Sequence, residues 1–123
     1  MLRQLLDRCF YCDKLLPVEK QLIHVDHFIP WSYIFEDELW NLVLSCRTCN
    51  LKKHSSLPAR DLVTVLINRN KQYCDMIDAL KKSLLRLDPP GNQEAAIMKH
   101  YQNCIDYGFT VVNMSPQRTA ERN

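Results

Sequence analysis

Only two glycines occur among the 123 residues, and this scarcity argues against long flexible linkers. No apolar run approaches the length of a membrane-spanning helix, and the N-terminus lacks the pattern of a signal peptide. The sequence also lacks a large excess of charge, because its formal net charge is only +2. A net charge of this size does not by itself indicate a nucleic-acid partner. A chain of this length is expected to form one domain, or one compact unit with an appendage.

The cysteines favour metal binding over a disulfide framework. Four of the six form two Cys-x-x-Cys pairs, Cys9/Cys12 and Cys46/Cys49. Two intervening residues let both sulfurs of a pair reach one tetrahedral ion, so the pairs predict a Cys₄ structural Zn²⁺ site, the alternative being four unrelated buried thiols. Such cysteines suit a reducing compartment, which predicts a cytoplasmic or nucleoid-associated protein. The other two, Cys74 and Cys104, lie on apolar helix faces and are expected in the core.

The first half of the chain predicts two strands and a short helix after a cysteine-containing turn. Residues 21–28 alternate apolar and polar side chains, which is typical of a strand. Residues 42–45 predict a second strand, and residues 47–54 a short helix. A further short helix is expected at residues 2–8. The predicted order from residue 21 onward is therefore strand, loop, strand and helix.

The second half predicts an antiparallel pair of helices. Apolar residues at helical spacing favour one helix from about 58 to 87, which the prolines at 89 and 90 then end. A second helix is expected from Asn92 to Tyr107, with Gly108 as its stop. The predicted fold class is therefore α+β. We expect a zinc-stapled core over residues 1–54, a helical extension over 55–114 packed on the core or on a partner, and a disordered tail over 115–123.

A candidate metal and acid–base site lies between the two cysteine pairs. Asp26 offers a carboxylate to a hard metal ion, and Asn50 and His54 are four residues apart, so they are predicted to share a helix face and the same ion. Histidine is the side chain that suits a base taking a proton from water near neutral pH, so His27 is the candidate general base. Asn41 is expected to hold the backbone or the ring of His27 in orientation.

Several cationic or polar residues near this site are candidate nucleic-acid contacts. Local basicity would hold a phosphate backbone more directly than the net charge does. The alternative is ordinary solvated charge, or a plain surface role for the histidine. The candidates are Arg47, Lys52, Lys53 and His24.

Residues 9–54 resemble the HNH endonucleases, also described as ββα-metal nucleases, in particular the members with two Cys-x-x-Cys pairs. The resemblance rests on Asp26-His27, on Asn41 and on the run from Cys49-Asn50 to Lys53. It implies that His27 is the general base, that Asp26, Asn50 and His54 bind the catalytic metal, and that Asn41 orients His27. It also implies hydrolysis of DNA to 5′-phosphate and 3′-hydroxyl ends.

The mixed oxygen and nitrogen ligands favour Mg²⁺ or Mn²⁺ as the catalytic ion, with Ni²⁺ or Zn²⁺ able to substitute. The expected partner is DNA, with RNA left open, and the helical extension offers a surface for a homodimer or a larger protein partner. Restriction, mobile-element and antiphage-defence systems all use relatives of this module, and no residue distinguishes them. The alternative function is a catalytically silent, zinc-stapled DNA-binding or protein-interaction module.

Overall fold

The structure, a computed structural model, describes residues 7–114. Its elements include strands β1 (His24–His27) and β2 (Leu42–Ser45) and helices α1 (Trp31–Ile34), α2 (Arg47–Lys53), α3 (Asp61–Tyr73), α4 (Asp78–Leu87) and α5 (Gln93–Asp106). Short 3-10 helices precede the strands at Lys20–Leu22 and Leu39–Asn41. The predicted α+β class is confirmed. Most of the helix predicted at residues 2–8, and all of the tail predicted at 115–123, fall outside the described residues.

The two strands form an antiparallel sheet that turns the candidate carboxylate inward. Asp26 pairs with Val43, and His27 pairs with Leu42. Asp26 and Val43 are buried, whereas Val25 is exposed, as the twofold alternation of a strand requires. The strand predicted over 21–28 is shorter in the structure, because the preceding 3-10 helix takes up its first residues.

The first cysteine pair lies in a tight turn that is attached to the sheet. The backbone N–H of Phe10 donates to the carbonyl oxygen of Leu44 at 2.8 Å, and the N–H of Asp13 donates to the carbonyl oxygen of Cys9 at 2.9 Å. The Phe10 ring also packs edge-on against Phe28, with 5.8 Å between the centroids. These contacts bring the turn beside the end of β2, where the second cysteine pair begins.

The single helix predicted from 58 to 87 is wrong, because the chain forms two helices there, α3 and α4. Ile77 is extended, with φ −122° and ψ 102°, and it separates them. Asp78 then lies in the first turn of α4, where an acidic side chain is favoured. The predicted start at residue 58 is also wrong. Leu57 instead bridges Val111, because its N–H and carbonyl groups bond to Thr110 and Val112 at 2.9 and 2.8 Å.

The prediction for α5 is confirmed closely. Gly108 follows the helix with φ 95°, a conformation that a side chain disfavours, and its N–H donates to the carbonyl oxygen of Ile105 at 3.0 Å. The buried residues Ile97, Tyr101 and Cys104 lie on one face of this helix, which packs against α3. Within residues 7–114, no helix is long and apolar enough to span a membrane.

Helices α3 and α4 hold the short segment before β2. The backbone N–H of Trp40 donates to Ser83 Oγ at 3.0 Å, and the Asn70 amide donates to the carbonyl oxygen of Trp40 at 3.1 Å. Arg86 pairs with Glu38 at 2.9 Å. The extension therefore contacts the segment that carries Asn41, whereas the predicted division at residues 54 and 55 stays a prediction.

Candidate metal centres and catalytic site

The four cysteines of the two pairs lie together, and we refer to them as the cysteine cluster: Cys9, Cys12, Cys46 and Cys49. Their Sγ atoms all lie within 4.8 Å of one another. The second pair begins α2, where Cys46 is the N-cap and its sulfur accepts a hydrogen bond from the N–H of Cys49 at 3.5 Å. Four thiol groups at this separation suit one tetrahedral zinc ion.

The electrostatics of the cysteine cluster also suit a cation. Burial raises the pKa of Cys49, and negative charge on Cys9 and Cys12 raises it further. Burial is likewise the main cause of the raised pKa of Cys12. Four thiolates held this close repel one another, so a bound cation is what makes their joint deprotonation favourable. The donor set thus fits the structural zinc site that the sequence predicts.

Asp26 is buried, with 9% of its surface exposed, and two donors meet one of its oxygens. The Tyr11 hydroxyl donates to Oδ2 at 2.5 Å, and Lys53 Nζ lies 3.2 Å from the same oxygen. Burial, followed by the charge of Asp26, raises the pKa of Tyr11 well above its ordinary value, so the hydroxyl keeps its proton. The carboxylate is therefore held by a tyrosine from the cysteine-containing turn and a lysine from α2.

The position of Lys53 contradicts one prediction. Its side chain is 1% exposed, and Nζ donates to the carbonyl oxygen of His27 at 2.7 Å in addition to pairing with Asp26. Burial lowers the pKa of Lys53, and the charge of Asp26 opposes that shift. The prediction that Lys53 contacts DNA phosphate is wrong, because its ammonium group points into the protein and is already paired.

His27 has an acidic partner that the sequence reasoning did not identify. Its Nε2 lies 2.7 Å from Oδ1 of Asp37, in the loop between α1 and β2. A carboxylate only accepts, so Nε2 carries the hydrogen, and in the neutral imidazole this leaves the lone pair on Nδ1. The signal available in the sequence was the acidic run Glu36-Asp37-Glu38, which lies between His27 and Asn41.

Asn41 is buried and bonds to the backbone just beyond His27. Its Oδ1 accepts from the N–H of Ile29 at 2.7 Å, and its Nδ2 donates to the carbonyl oxygen of Ile29 at 2.9 Å. Its own carbonyl oxygen accepts from the N–H of Phe28 at 2.9 Å. Asn41 therefore fixes the chain where it leaves β1, through the backbone and not through the His27 ring.

The two candidate ligands on α2 have different positions. Asn50 is half-buried and lies three residues before Lys53, so the two share the helix face that reaches Asp26. His54 is the C-cap, with φ 50° and ψ −126°, and its exposed ring bonds to Ser55 Oγ at 3.2 Å. The prediction that Asn50 and His54 share a helix face is therefore wrong, because His54 has left the helix. His54 as a ligand stays a prediction without that support.

The remaining candidate contacts lie at the surface or close to it. Arg47 and Lys52 on α2 are exposed, and His24 on β1 is half-buried. Nothing in their surroundings tests whether they contact nucleic acid, so these three stay predictions.

Arg69 of α3 is a residue that no sequence motif revealed. Its guanidinium donates to the carbonyl oxygens of Leu42 and Trp40 at 2.7 and 3.1 Å. Burial lowers its pKa to about 10, so the cation persists at neutral pH. Arg69 thereby supports both flanks of Asn41 from a distant part of the chain.

Residues 9–59 match the family model described as HNH endonuclease. The matched segment contains the cysteine cluster, Asp26-His27, Asn41 and all of α2. The family resemblance read from the sequence is confirmed for this segment, and the match supports a nuclease-type function in general. A search among curated proteins gives no match.

Proposed function

We propose that this protein is a metal-dependent endonuclease that hydrolyses DNA phosphodiester bonds. The observation that carries the proposal is the pair Asp26 and His27 at the end of β1, inside the segment that matches the HNH endonuclease model. The carboxylate is buried and held by two donors, while the neighbouring imidazole bonds to Asp37. A fixed carboxylate beside an oriented imidazole suits hydrolysis with a metal ion and a general base.

His27 is the proposed general base, and Asp37 selects its reactive nitrogen. Because Asp37 accepts the hydrogen on Nε2, the lone pair on Nδ1 is the one that can take a proton from water. The bond of Lys53 to the His27 carbonyl oxygen fixes the backbone from which the ring projects. Asn41 fixes the next stretch of chain through Ile29.

Asp26 and Asn50 are the proposed ligands of the catalytic ion, with His54 as a third. Among the described residues, the hydrogen-bonding contacts of the Asp26 side chain all go to Oδ2, so Oδ1 is the oxygen that we assign to the cation. Asn50 offers an amide oxygen from the same face of α2 as Lys53. Oxygen donors of this kind favour Mg²⁺ or Mn²⁺. When bound, such an ion supplies positive charge that stabilises the charge developing on the phosphate and on the leaving oxygen.

The proposed reaction gives each of these residues a role. His27 Nδ1 takes a proton from a water molecule whose oxygen attacks the phosphorus, and the P–O3′ bond breaks in line with the attack. The departing 3′ oxygen takes up a proton from solvent water, which leaves a 3′-hydroxyl and a 5′-phosphate. One such site cuts one strand, so the expected first product is a nick. Arg47 and Lys52, exposed on α2, are the proposed phosphate contacts.

Supercoiled-plasmid cleavage tests the proposal. Zinc-loaded protein is incubated with plasmid in EDTA, Mg²⁺, Mn²⁺ or Ni²⁺, and nicked, linear and supercoiled forms are quantified. The expected result is nicking that needs a divalent ion, with nicks that DNA ligase reseals because their ends are 5′-phosphate and 3′-hydroxyl. Folded, zinc-loaded protein that binds the plasmid but leaves it uncut in every metal would overturn the proposal. That outcome would favour the catalytically silent binding module instead.

A further inference from the structure

The buried carboxylate of Asp26 has an asymmetric environment. Its Oδ2 receives the Tyr11 hydroxyl at 2.5 Å and lies 3.2 Å from Lys53 Nζ. Within residues 7–114, no hydrogen bond or ion pair reaches Oδ1 from another residue. Both donors are buried, each with 1% of its surface exposed, so water does not compete for them. The two donors therefore restrain the rotation of the carboxylate, and its two oxygens have different surroundings.

Lys53 links the two residues of the proposed catalytic pair. The same ammonium that pairs with Asp26 donates to the carbonyl oxygen of His27 at 2.7 Å. It comes from the last turn of α2, the helix that also carries Asn50. One buried cation thus ties α2 to the end of β1 at the position where the imidazole follows the carboxylate.

Tyr11 links Asp26 to the cysteine cluster. It lies between Cys9 and Cys12, so the turn that holds these thiols also fixes the tyrosine backbone. Its ring packs edge-on against Phe10, with centroids 5.3 Å apart, and Phe10 is itself bonded to β2. Any displacement of the cysteine-containing turn therefore moves a hydroxyl that touches the proposed metal ligand.

We propose that Tyr11 and Lys53 are positioning residues that hold Asp26 so that only Oδ1 faces the catalytic ion. This inference rests on the proposed function, because it assigns these residues to the same metal site. It also makes the cysteine cluster a support of that site through Tyr11, beyond its role in stapling the fold. Partners of a metal-binding carboxylate fix its orientation, and their removal typically weakens metal binding or activity about 10- to 100-fold.

The test is Tyr11→Phe, which removes the hydroxyl and keeps the ring. Mn²⁺ binding is measured by the loss of the free-ion EPR signal, and plasmid nicking is titrated with Mn²⁺ in parallel. We expect the Mn²⁺ concentration for half-saturation to rise about tenfold or more in both measurements. Zinc content and the circular dichroism spectrum should match those of the wild type. The single variant Lys53→Met should also weaken Mn²⁺ binding, because it removes the second donor to Oδ2.

Tyr101→Phe is the matched control. Tyr101 is as deeply buried as Tyr11 and donates one hydrogen bond, to the carbonyl oxygen of Pro58 at 2.6 Å, without contacting Asp26. The Mn²⁺ concentration for half-saturation of Tyr101→Phe should equal that of the wild type.

Unchanged Mn²⁺ binding in Tyr11→Phe, with an active wild type, would overturn this inference alone. Loss of zinc from Tyr11→Phe would also overturn it, because Tyr11 would then support the cysteine cluster instead. A wild type that neither binds Mn²⁺ nor cuts DNA would overturn the proposed function, and this inference with it.

Discussion

Nε2 of His27 lies 2.7 Å from Oδ1 of Asp37, so an acidic loop residue orients the imidazole that we propose as the general base. The two residues belong to different parts of the chain, since His27 ends β1 and Asp37 lies in the loop before the second 3-10 helix. Asp37 is 75% exposed at its side chain, whereas His27 is 25% exposed. The pair therefore lies at the surface, with Asp37 as the more exposed partner.

Asp37→Ala should lower the rate of plasmid nicking by roughly tenfold or more, because the imidazole loses the partner that fixes its tautomer and direction. The Mn²⁺ concentration for half-maximal nicking should stay near that of the wild type, since Asp37 is not a proposed ligand. Single-turnover nicking at saturating Mn²⁺ measures the effect. Glu36→Ala removes the same charge from the neighbouring position and should retain most of the rate. Equal rates for Asp37→Ala and the wild type would show that the His27 contact has no role in catalysis.

Cys46→Ser should unfold the region of the two strands, because the binding energy of a structural zinc is part of the folding energy, often about 10 kcal/mol in peptides. Circular dichroism and zinc content measure the outcome. Cys74→Ser is the matched control, since Cys74 is half-buried and lies outside the cysteine cluster, and it should retain zinc. A folded Cys46→Ser protein without zinc would contradict the structural role of the metal.

Arg69→Met should lower the free energy of unfolding by about 2–4 kcal/mol, because the carbonyl oxygens of Leu42 and Trp40 lose a charged donor. Urea denaturation measures the change. Arg60→Met is the control, because Arg60 is exposed and bonds to a side chain, Gln102, at 2.9 Å. Arg60→Met should lower the free energy of unfolding by less than about 1 kcal/mol. An equally small effect at both positions would show that Arg69 does not support the segment around Asn41.

His100 should make stability depend on pH. The pKa of His100 is lowered below 6.5, and burial is the main cause of this shift. The ring stacks on Trp40, with 6.1 Å between the centroids. The unfolded chain therefore binds a proton at a higher pH than the folded chain does. As the pH falls from about 6.5 through the folded-state pKa, the free energy of unfolding should decrease.

The measurement is the difference in unfolding free energy between the wild type and His100→Gln at several values from about pH 5 to 8. Subtraction removes the contributions of the cysteines and carboxylates, which both proteins share. The amount by which the unfolding free energy of the wild type exceeds that of His100→Gln should shrink toward low pH. A difference that stays constant over this range would show that His100 titrates alike in the folded and unfolded states.

The local patterns of this sequence were sufficient for the elements that depend on near neighbours. The two Cys-x-x-Cys pairs predicted a cluster whose sulfurs lie within 4.8 Å of one another. Gly108 predicted the end of α5, because its positive φ is a local requirement. The division of residues 58–87 into two helices was missed, because the apolar spacing continues through Ile77. The contact of α4 with Trp40, through Ser83, is tertiary and leaves no local pattern in the sequence.

The site was predictable in its residue types but not in its contacts. Asp26 and His27 were recognisable from a motif, whereas Tyr11 and Asp37 reach them across 15 and 10 residues of chain. Lys53 was assigned to the surface, because its sequence neighbours are polar and only the tertiary structure shows a buried carboxylate opposite it. A lysine at a helix end is ordinarily solvated, so burial with a paired acid was the less expected outcome.

In the proposed reaction, His27 takes the proton from the attacking water. Single-turnover plasmid nicking with His27→Ala and wild-type protein, both zinc-loaded and in saturating Mg²⁺ or Mn²⁺, tests this step. We predict a rate at least about 100-fold lower for His27→Ala, with unchanged zinc content, circular dichroism and plasmid affinity. Nicking by folded His27→Ala at the wild-type rate would show that His27 is not the general base.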